Sequence, residues 1–184
     1  MMYWSKTCTE DCTVFLNDTM DNNDILRRIR YTFDFDDSTM IALFHLADHE
    51  VTRATVSNWL KKEDDRAFQK MTDQQLAIFL NGLINDKRGK REGPQPVPEN
   101  RLNNNLILKK LKIALNLKTD DIIALFELVG KKISMGELNA FLRNPKQGKY
   151  QVCNDQYMRH FLDGLQMKHR NTGTGGKKLN LTVS

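Results

Sequence analysis

The chain has 184 residues, 40% of them hydrophobic, and no apolar run approaching the ~18–20 residues of a membrane span. That suffices for the cores of one or two small domains and excludes a helical membrane protein. The 28 Lys and Arg exceed the 23 Asp and Glu by 5, so a polyanion is a natural partner class. Cys8, Cys12 and Cys153 make no paired framework and no secretory leader is present, so a reduced, cytoplasmic, soluble protein is expected, with no membrane partner.

The charge is unevenly placed. Residues 22–85 hold 8 basic against 10 acidic side chains, whereas residues 102–168 hold 11 against 6. The basic excess therefore belongs to the second half. It could draw in a polyanion, or let the two halves or two molecules meet. A solvated surface is the plainer alternative.

Taken in chain order, residues 1–19 precede any periodic pattern, and they are expected to be a disordered extension or to lie ahead of a true start at Met20. The first helix follows the asparagine pair. Asn23 suits an N-cap, and Ile25, Ile29 and Phe33 fall on one helical face. A second helix starts near Asp37 and carries "MIALF". The third follows Thr52, with Val56, Trp59 and Leu60 as its apolar positions, and ends near Lys62. A fourth opens at Thr72, where Gln75 completes a capping box, and passes through "FLNGL" with Gly82 late in its course.

Then comes "DKRGKREGPQPVPENRLNN", whose three prolines mark a partly extended linker. Beyond it the whole series repeats without a gap, 82 positions on. Asn105 stands for Asn23, "IALFEL" for "IALFHL", Phe141-Leu142 for Trp59-Leu60, and "FLDGL" for "FLNGL". Ser134 with Glu137 forms a capping box, and Pro145, opposite Glu63, limits the third helix to about Asn144. Gly82 and Gly164 recur late in the fourth helix, which suggests a close helix approach or a terminus, since glycine there costs ~1 kcal/mol relative to alanine. Two copies of this length are two similar domains and not a solenoid. The expected fold is all-α: repeat 1 over 20–85, a linker over 86–102, repeat 2 over 103–168 and a disordered tail over 169–184, with about four helices per repeat.

The phrases "MDNNDILRRIRY", "WLKKED", "FLNGLINDKRG", "NNNLILKKLKIALNLKTDDI" and "DQYMRHFLDGL" resemble the YehS-like family of bacterial proteins. The resemblance spans roughly residues 20–168. It implies a cytoplasmic protein with two copies of a helical domain of unknown function. It implies no reaction, cofactor or catalytic residue.

Among candidate functional residues, "VTRATVSNWLKK" resembles the entry and second helix of a helix-turn-helix DNA reader. Val51, Thr52, Val56 and Trp59 would fix the helix, leaving Arg53, Thr55, Ser57 and Asn58 outward and Lys61 at its end. The turn before it, "LADHEV", is longer than usual and lacks a glycine, and copy two offers Met135, Gly136, Glu137, Asn139 and Ala140, which read DNA poorly. A second set is basic in both copies: Arg27, Arg28 and Arg30 match Lys109, Lys110 and Lys112, and Lys87, Arg88, Lys90, Arg91 and Arg143 add to them. These could follow a phosphate backbone, or form the solvated face of amphipathic helices.

His45 and His49 stand four apart, but no further ligand lies nearby and the zincin glutamate is missing, so they read as structural or surface histidines. Cys153 faces Met71 across the repeat and reads as a small core residue. No metal, cofactor or catalytic residue is expected; "GTGGKK" lacks the frame of a phosphate loop. The sequence points to a non-enzymatic regulatory or adaptor protein binding DNA or RNA. A protein-interaction module, through peptide binding or homodimerisation, comes second, and an enzyme acting on a small anion third.

Overall fold

The computed structural model describes residues 20–171; the expectations for residues 1–19, Cys8 and Cys12 among them, and for residues after 171 lie outside the described residues. Apolar positions at helical spacing produce eight helices there. They are α1 (Asn22–Phe33), α2 (Asp37–Leu46), α3 (Arg53–Leu60), α4 (Asp73–Arg88), α5 (Asn104–Ala114), α6 (Thr119–Leu128), α7 (Met135–Leu142) and α8 (Asp155–Asn171). With no strand among the described residues, the fold is all-α, four helices per repeat. The fourth helices outlast the pattern read from the sequence: residues 86–88 extend α4 and 169–171 extend α8. The third helices stop two residues sooner, at Leu60 and Leu142.

The caps correct one expectation. Asn23 and Asn105 are not N-caps. Asp21 caps α1 by accepting from the Asp24 amide at 2.7 Å, and Asn103 caps α5 by accepting from the Leu106 amide at 2.9 Å. A carboxylate at the positive end of a helix also gains from the dipole. Asn23 lies one residue inside α1, wholly buried, where a primary amide can donate twice and accept once. Its Nδ2 donates to the Trp59 and Gln69 carbonyls, both at 2.8 Å, and its Oδ1 accepts from the Met71 amide at 2.9 Å. Asn105 repeats this with the Phe141 and Gln151 carbonyls and the Cys153 amide, at 2.8, 2.8 and 3.0 Å. One side chain thus ties the first helix to the end of the third and to the extended entry of the fourth. Two other caps agree with the sequence, Thr72–Gln75 and Ser134–Glu137 both forming boxes, and at the start of α8 Asn154 accepts from the Tyr157 amide at 3.0 Å.

Within each repeat the second helix packs on the fourth, α2 on α4 and α6 on α8. Gly82 and Gly164 make this possible. A Cβ on Gly82 would collide with the Leu43 carbonyl, 2.7 Å from its carbon, and one on Gly164 would lie 2.8 Å from the Leu125 carbonyl carbon. The close-approach reading of these glycines therefore holds.

Between repeats the first and fourth helices exchange partners. α4 packs on α5, and α8 packs on α1. The Leu102 amide donates to Asp73 Oδ2 at 2.9 Å and, reciprocally, the Met20 amide donates to Asp155 Oδ2 at 3.2 Å. Midway along, Lys110 meets Asn81 and Arg28 meets Asp163, both at 2.6 Å. Each pair relates positions 82 apart, so an approximate twofold axis relates the repeats, and both helix pairs run parallel. One continuous apolar core results, running from Leu26, Phe44 and Phe79 to Leu108, Phe126 and Phe161.

Replacing Gly82 or Gly164 with Ala should lower stability by about 1–3 kcal/mol through overpacking, the reverse of the ~1 kcal/mol gain expected in an open helix; thermal unfolding followed by circular dichroism reads the sign. Asn23→Ala should cost about 2–3 kcal/mol, because it strands one buried amide and two carbonyls, in the same assay.

Candidate nucleic-acid interface

The residues singled out by sequence divide according to what each charge finds in the fold. Arg27 donates to Asp24 at 2.5 Å and to the Lys61 carbonyl at 2.7 Å, clasping α1 to the end of α3. Arg30 pairs with Asp37 at 2.8 Å and donates to the Phe35 carbonyl at 3.1 Å, holding the α1–α2 corner. Arg28 crosses to Asp163 of the other repeat. Lys61 pairs with Asp65 at 3.3 Å and Lys87 with its neighbour Asp86 at 2.7 Å. Lys110 departs furthest from a solvated face. It is buried, pairing with Glu99 at 2.9 Å as well as with Asn81. Where it stands, no phosphate reaches it. These cations hold the architecture.

The helix-turn-helix-like unit forms as a packing unit. α3 packs on α2 and α1; Val56 and Trp59 are buried, Val51 is half-buried, and Thr52 caps α3 by accepting from the Thr55 amide at 3.1 Å. Arg53 is exposed at the start of α3, whereas Ser57 and Asn58 are half-buried. Its surroundings are acidic: residues 34–66 hold 8 Asp and Glu against 4 Lys and Arg. Asp36, held below the usual carboxylate range by its hydrogen bonds from Thr39, faces Arg53 and Arg30. The field there opposes a phosphate backbone.

The second repeat inverts this balance, and sequence reading alone did not show how. It keeps the cations and drops their partners. Lys109 stands where Arg27 does, but Leu106 replaces Asp24; Lys112 stands for Arg30, but Thr119 replaces Asp37; Arg143 stands for Lys61, but Gln147 replaces Asp65. Lys118 even replaces Asp36. Lys109 and Arg143 are exposed and Lys112 is half-buried, and Arg143 donates to the Gly148 carbonyl at 3.0 Å. α5 packs on α7, with Asn105 of α5 bonded to the Phe141 carbonyl two residues before Arg143. The Lys109, Lys112 and Arg143 cations thus gather on the outer side of α5 and the end of α7 without a carboxylate among the described residues. Arg88 is exposed at the end of α4. The clue was available in the alignment of the two copies, read position by position for lost acids.

Other chemistry finds little support. Among the described residues no group of three or more His, Cys, Asp or Glu side chains could hold a metal. His45 is exposed, and the His49 ring stands 6.2 Å from Phe44. Between the repeats an open groove is lined by Arg27, Arg28, Tyr31, Asp163 and Gln166. Both of its arginines already face carboxylates.

Two stretches of the chain, residues 22–89 and 104–171, match the family model described as "Protein of unknown function (DUF1456)". A protein of Escherichia coli (strain K12) with the printed name "Uncharacterized protein YehS" is 44% identical over 145 residues, covering 78% of this chain and 93% of its own length. No solved structure matches the chain. No helix among the described residues is long and apolar enough to cross a membrane.

Cys153 behaves as the core residue the repeat implies. It is 2% exposed, and burial, with a smaller effect from Asp155, pushes its thiol up to about 12. The thiolate is the reactive form, so alkylation at pH 8 in the folded state should leave the Cys153 peptide unmodified, with full modification only after unfolding; peptide mass spectrometry separates the two.

Proposed function

The chain belongs to the DUF1456 family, with the domain present twice, and on that premise we propose that it acts by binding and not by catalysis, holding a nucleic-acid backbone on the outer face of α5 and α7 in its second repeat. The observation that carries this reading is the selective loss of acids. Copy one neutralises each of three cations with a carboxylate, and copy two retains the cations while replacing every one of those carboxylates with an uncharged residue. An unpaired cation gains more from a phosphate than one already satisfied, because no internal ion pair must break and a condensed counterion is released. Residues 116–148 hold 5 Lys and Arg against 4 Asp and Glu, whereas the matching 34–66 are strongly acidic. The α3 segment of the first repeat, although shaped like a DNA reader, therefore supports the reading less than α5 does. Few base-directed groups accompany Lys109, Lys112 and Arg143, so the binding is expected to follow backbone charge with little sequence preference.

Fluorescence anisotropy with labelled duplex DNA and single-stranded RNA at low salt tests this. Affinity should fall steeply with salt, by about 0.7–0.9 log units per log unit of salt for each phosphate contacted. Lys109→Glu combined with Lys112→Glu should weaken binding at least about tenfold, while Arg53→Glu should change it little. Absence of binding at low salt, or an affinity indifferent to salt, would sink the proposal.

A further inference from the structure

Three glycines lie within the helices of the described residues, and the chain itself explains two of them. A Cβ at Gly82 or Gly164 would strike the second helix of its own repeat. Gly136, in the first turn of α7, makes way for nothing. A Cβ there would meet only Ser134 Oγ, at an ordinary 3.8 Å, and its backbone is not left-handed. Ala54 holds the same place in the first repeat. Glycine gives up helix stability and gains closeness of approach, yet the described residues supply nothing that approaches Gly136.

The rest of α7 sorts into two sides. Leu138, Ala140 and Phe141 are buried. Glu137 turns to its own cap, accepting from the Ser134 amide at 2.9 Å and hydroxyl at 2.7 Å, and from the Tyr157 hydroxyl at 3.3 Å. Ala140 and Glu137, which would serve DNA poorly, are thus taken up by the fold. Met135, Gly136 and Asn139 remain outward, and spacings of three and four put them on one face. Met135 is 53% exposed, and among the described residues the Asn139 amide has no hydrogen-bond partner. Cations stand at both ends of the helix. Exposed Lys131 and Lys132 precede the Ser134 cap, and Arg143 is the C-cap, with Lys109 and Lys112 of α5 on that side. A helix of 8 residues is ~12 Å long, close to the ~12 Å width of a B-DNA major groove. Its two ends therefore reach the two phosphate strands that border such a groove.

Resting on the reading of the second repeat as a nucleic-acid interface, we propose that its ligand is duplex DNA and that α7 enters the major groove and reads an A·T pair there. Asn139 donates to adenine N7 and accepts from the adenine N6 amino group, and Met135 packs on the thymine C5 methyl, which is the pattern an A·T pair presents in that groove. Gly136 beside them lets the helix backbone come close. The flanking cations hold phosphates and fix the register without reading sequence. One base pair read in this way adds a narrow preference to an interface otherwise dominated by charge. The first repeat carries Arg53, Ala54 and Ser57 at these three positions, with Ser57 half-buried and acids around them. Duplex RNA does not admit α7, because its major groove is deep and narrow.

The test titrates the full chain by anisotropy with labelled A·T-rich duplexes of equal length: plain DNA, the same DNA with uracil for thymine, the same with 7-deazaadenine for adenine, and the matching RNA. The 7-deazaadenine duplex should bind at least about fivefold more weakly than plain DNA, and the uracil duplex about two- to fourfold more weakly. Asn139→Ala should abolish the first difference and Met135→Ala the second, each leaving the salt dependence as it was. Gly136→Leu should weaken binding to plain DNA at least about fivefold while the melting temperature stays level or rises, since leucine is the better helix former and the position is open. Equal affinity for the three DNA duplexes, RNA bound as tightly as DNA, or a Gly136→Leu variant that binds normally overturns the proposal. In each of those cases a salt-dependent affinity weakened by the Lys109→Glu, Lys112→Glu double variant leaves the backbone reading standing. Absence of all binding at low salt removes both.

Discussion

Everything in this fold depends on how the two copies meet. Each repeat's first and fourth helices bury their apolar faces against those of the other copy, α1 on α8 and α5 on α4. Both pairings are parallel, which brings like helix dipole ends together. Asp73 and Asp155 answer this at the N-terminal ends. Each begins a fourth helix, accepts a backbone amide across the seam (Leu102 at the linker's end for Asp73, Met20 for Asp155), and accepts Nδ2 of Asn22 or Asn104, at 2.8 and 2.7 Å, from its own repeat. A negative group is placed where several helix starts converge. Identical Asp residues at 73 and 155 are a consequence of this geometry.

The interlock also explains why positive charge recurs on the first helix of each copy. Position 28 or 110 needs a cation because a polar residue of the facing fourth helix, Asp163 or Asn81, stands opposite it. The copies solve the same charge problem differently. In one seam the acid belongs to the facing helix, as Asp163; in the other that residue is neutral and the linker provides Glu99. Lys110 can be buried only because the linker brings that carboxylate, since an unpaired ammonium there would carry a heavy desolvation cost. The linker is thus part of the electrostatic design of the second repeat, and its prolines keep it extended over the seam.

Much of this was legible in the residues. The ungapped repeat, helix spacing and Ser/Thr caps located the eight helices of the described residues, because these signals are local. The asparagine pair misled for a physical reason: an amide suited to capping is equally suited to stapling three backbone groups, and only the packing of the third and fourth helices decides between them. The early stop at Leu60 and Leu142 reflects the Asn58 and Ala140 carbonyls, which accept from Gln69 and Gln151 of the segment that follows. The candidate site was legible in part. Sequence named Lys109, Lys112 and Arg143 together with Arg27, Arg30 and Lys61, but the difference between them lies in partners three to seven residues away along the chain. The lost acids stand in the alignment of the two copies, but that Asp24, Asp37 and Asp65 are the partners of these cations is given by the fold. Lys110 was misplaced because its burial comes from the other repeat and the linker.

The α1–α8 pairing has a consequence for synthesis on the ribosome. Contacts such as Arg28 with Asp163 and Met20 with Asp155 join residues 135 positions apart. A chain emerging from its N-terminus completes α1 first and exposes its apolar face, Ile25, Leu26 and Ile29 included, to partners within the first repeat alone until the last helix arrives. The α4–α5 seam, whose contacts span only 29 positions, can close much earlier. Long-range closure slows folding, and the waiting surface is open to aggregation. The order of assembly is therefore asymmetric even though the finished molecule is close to symmetric.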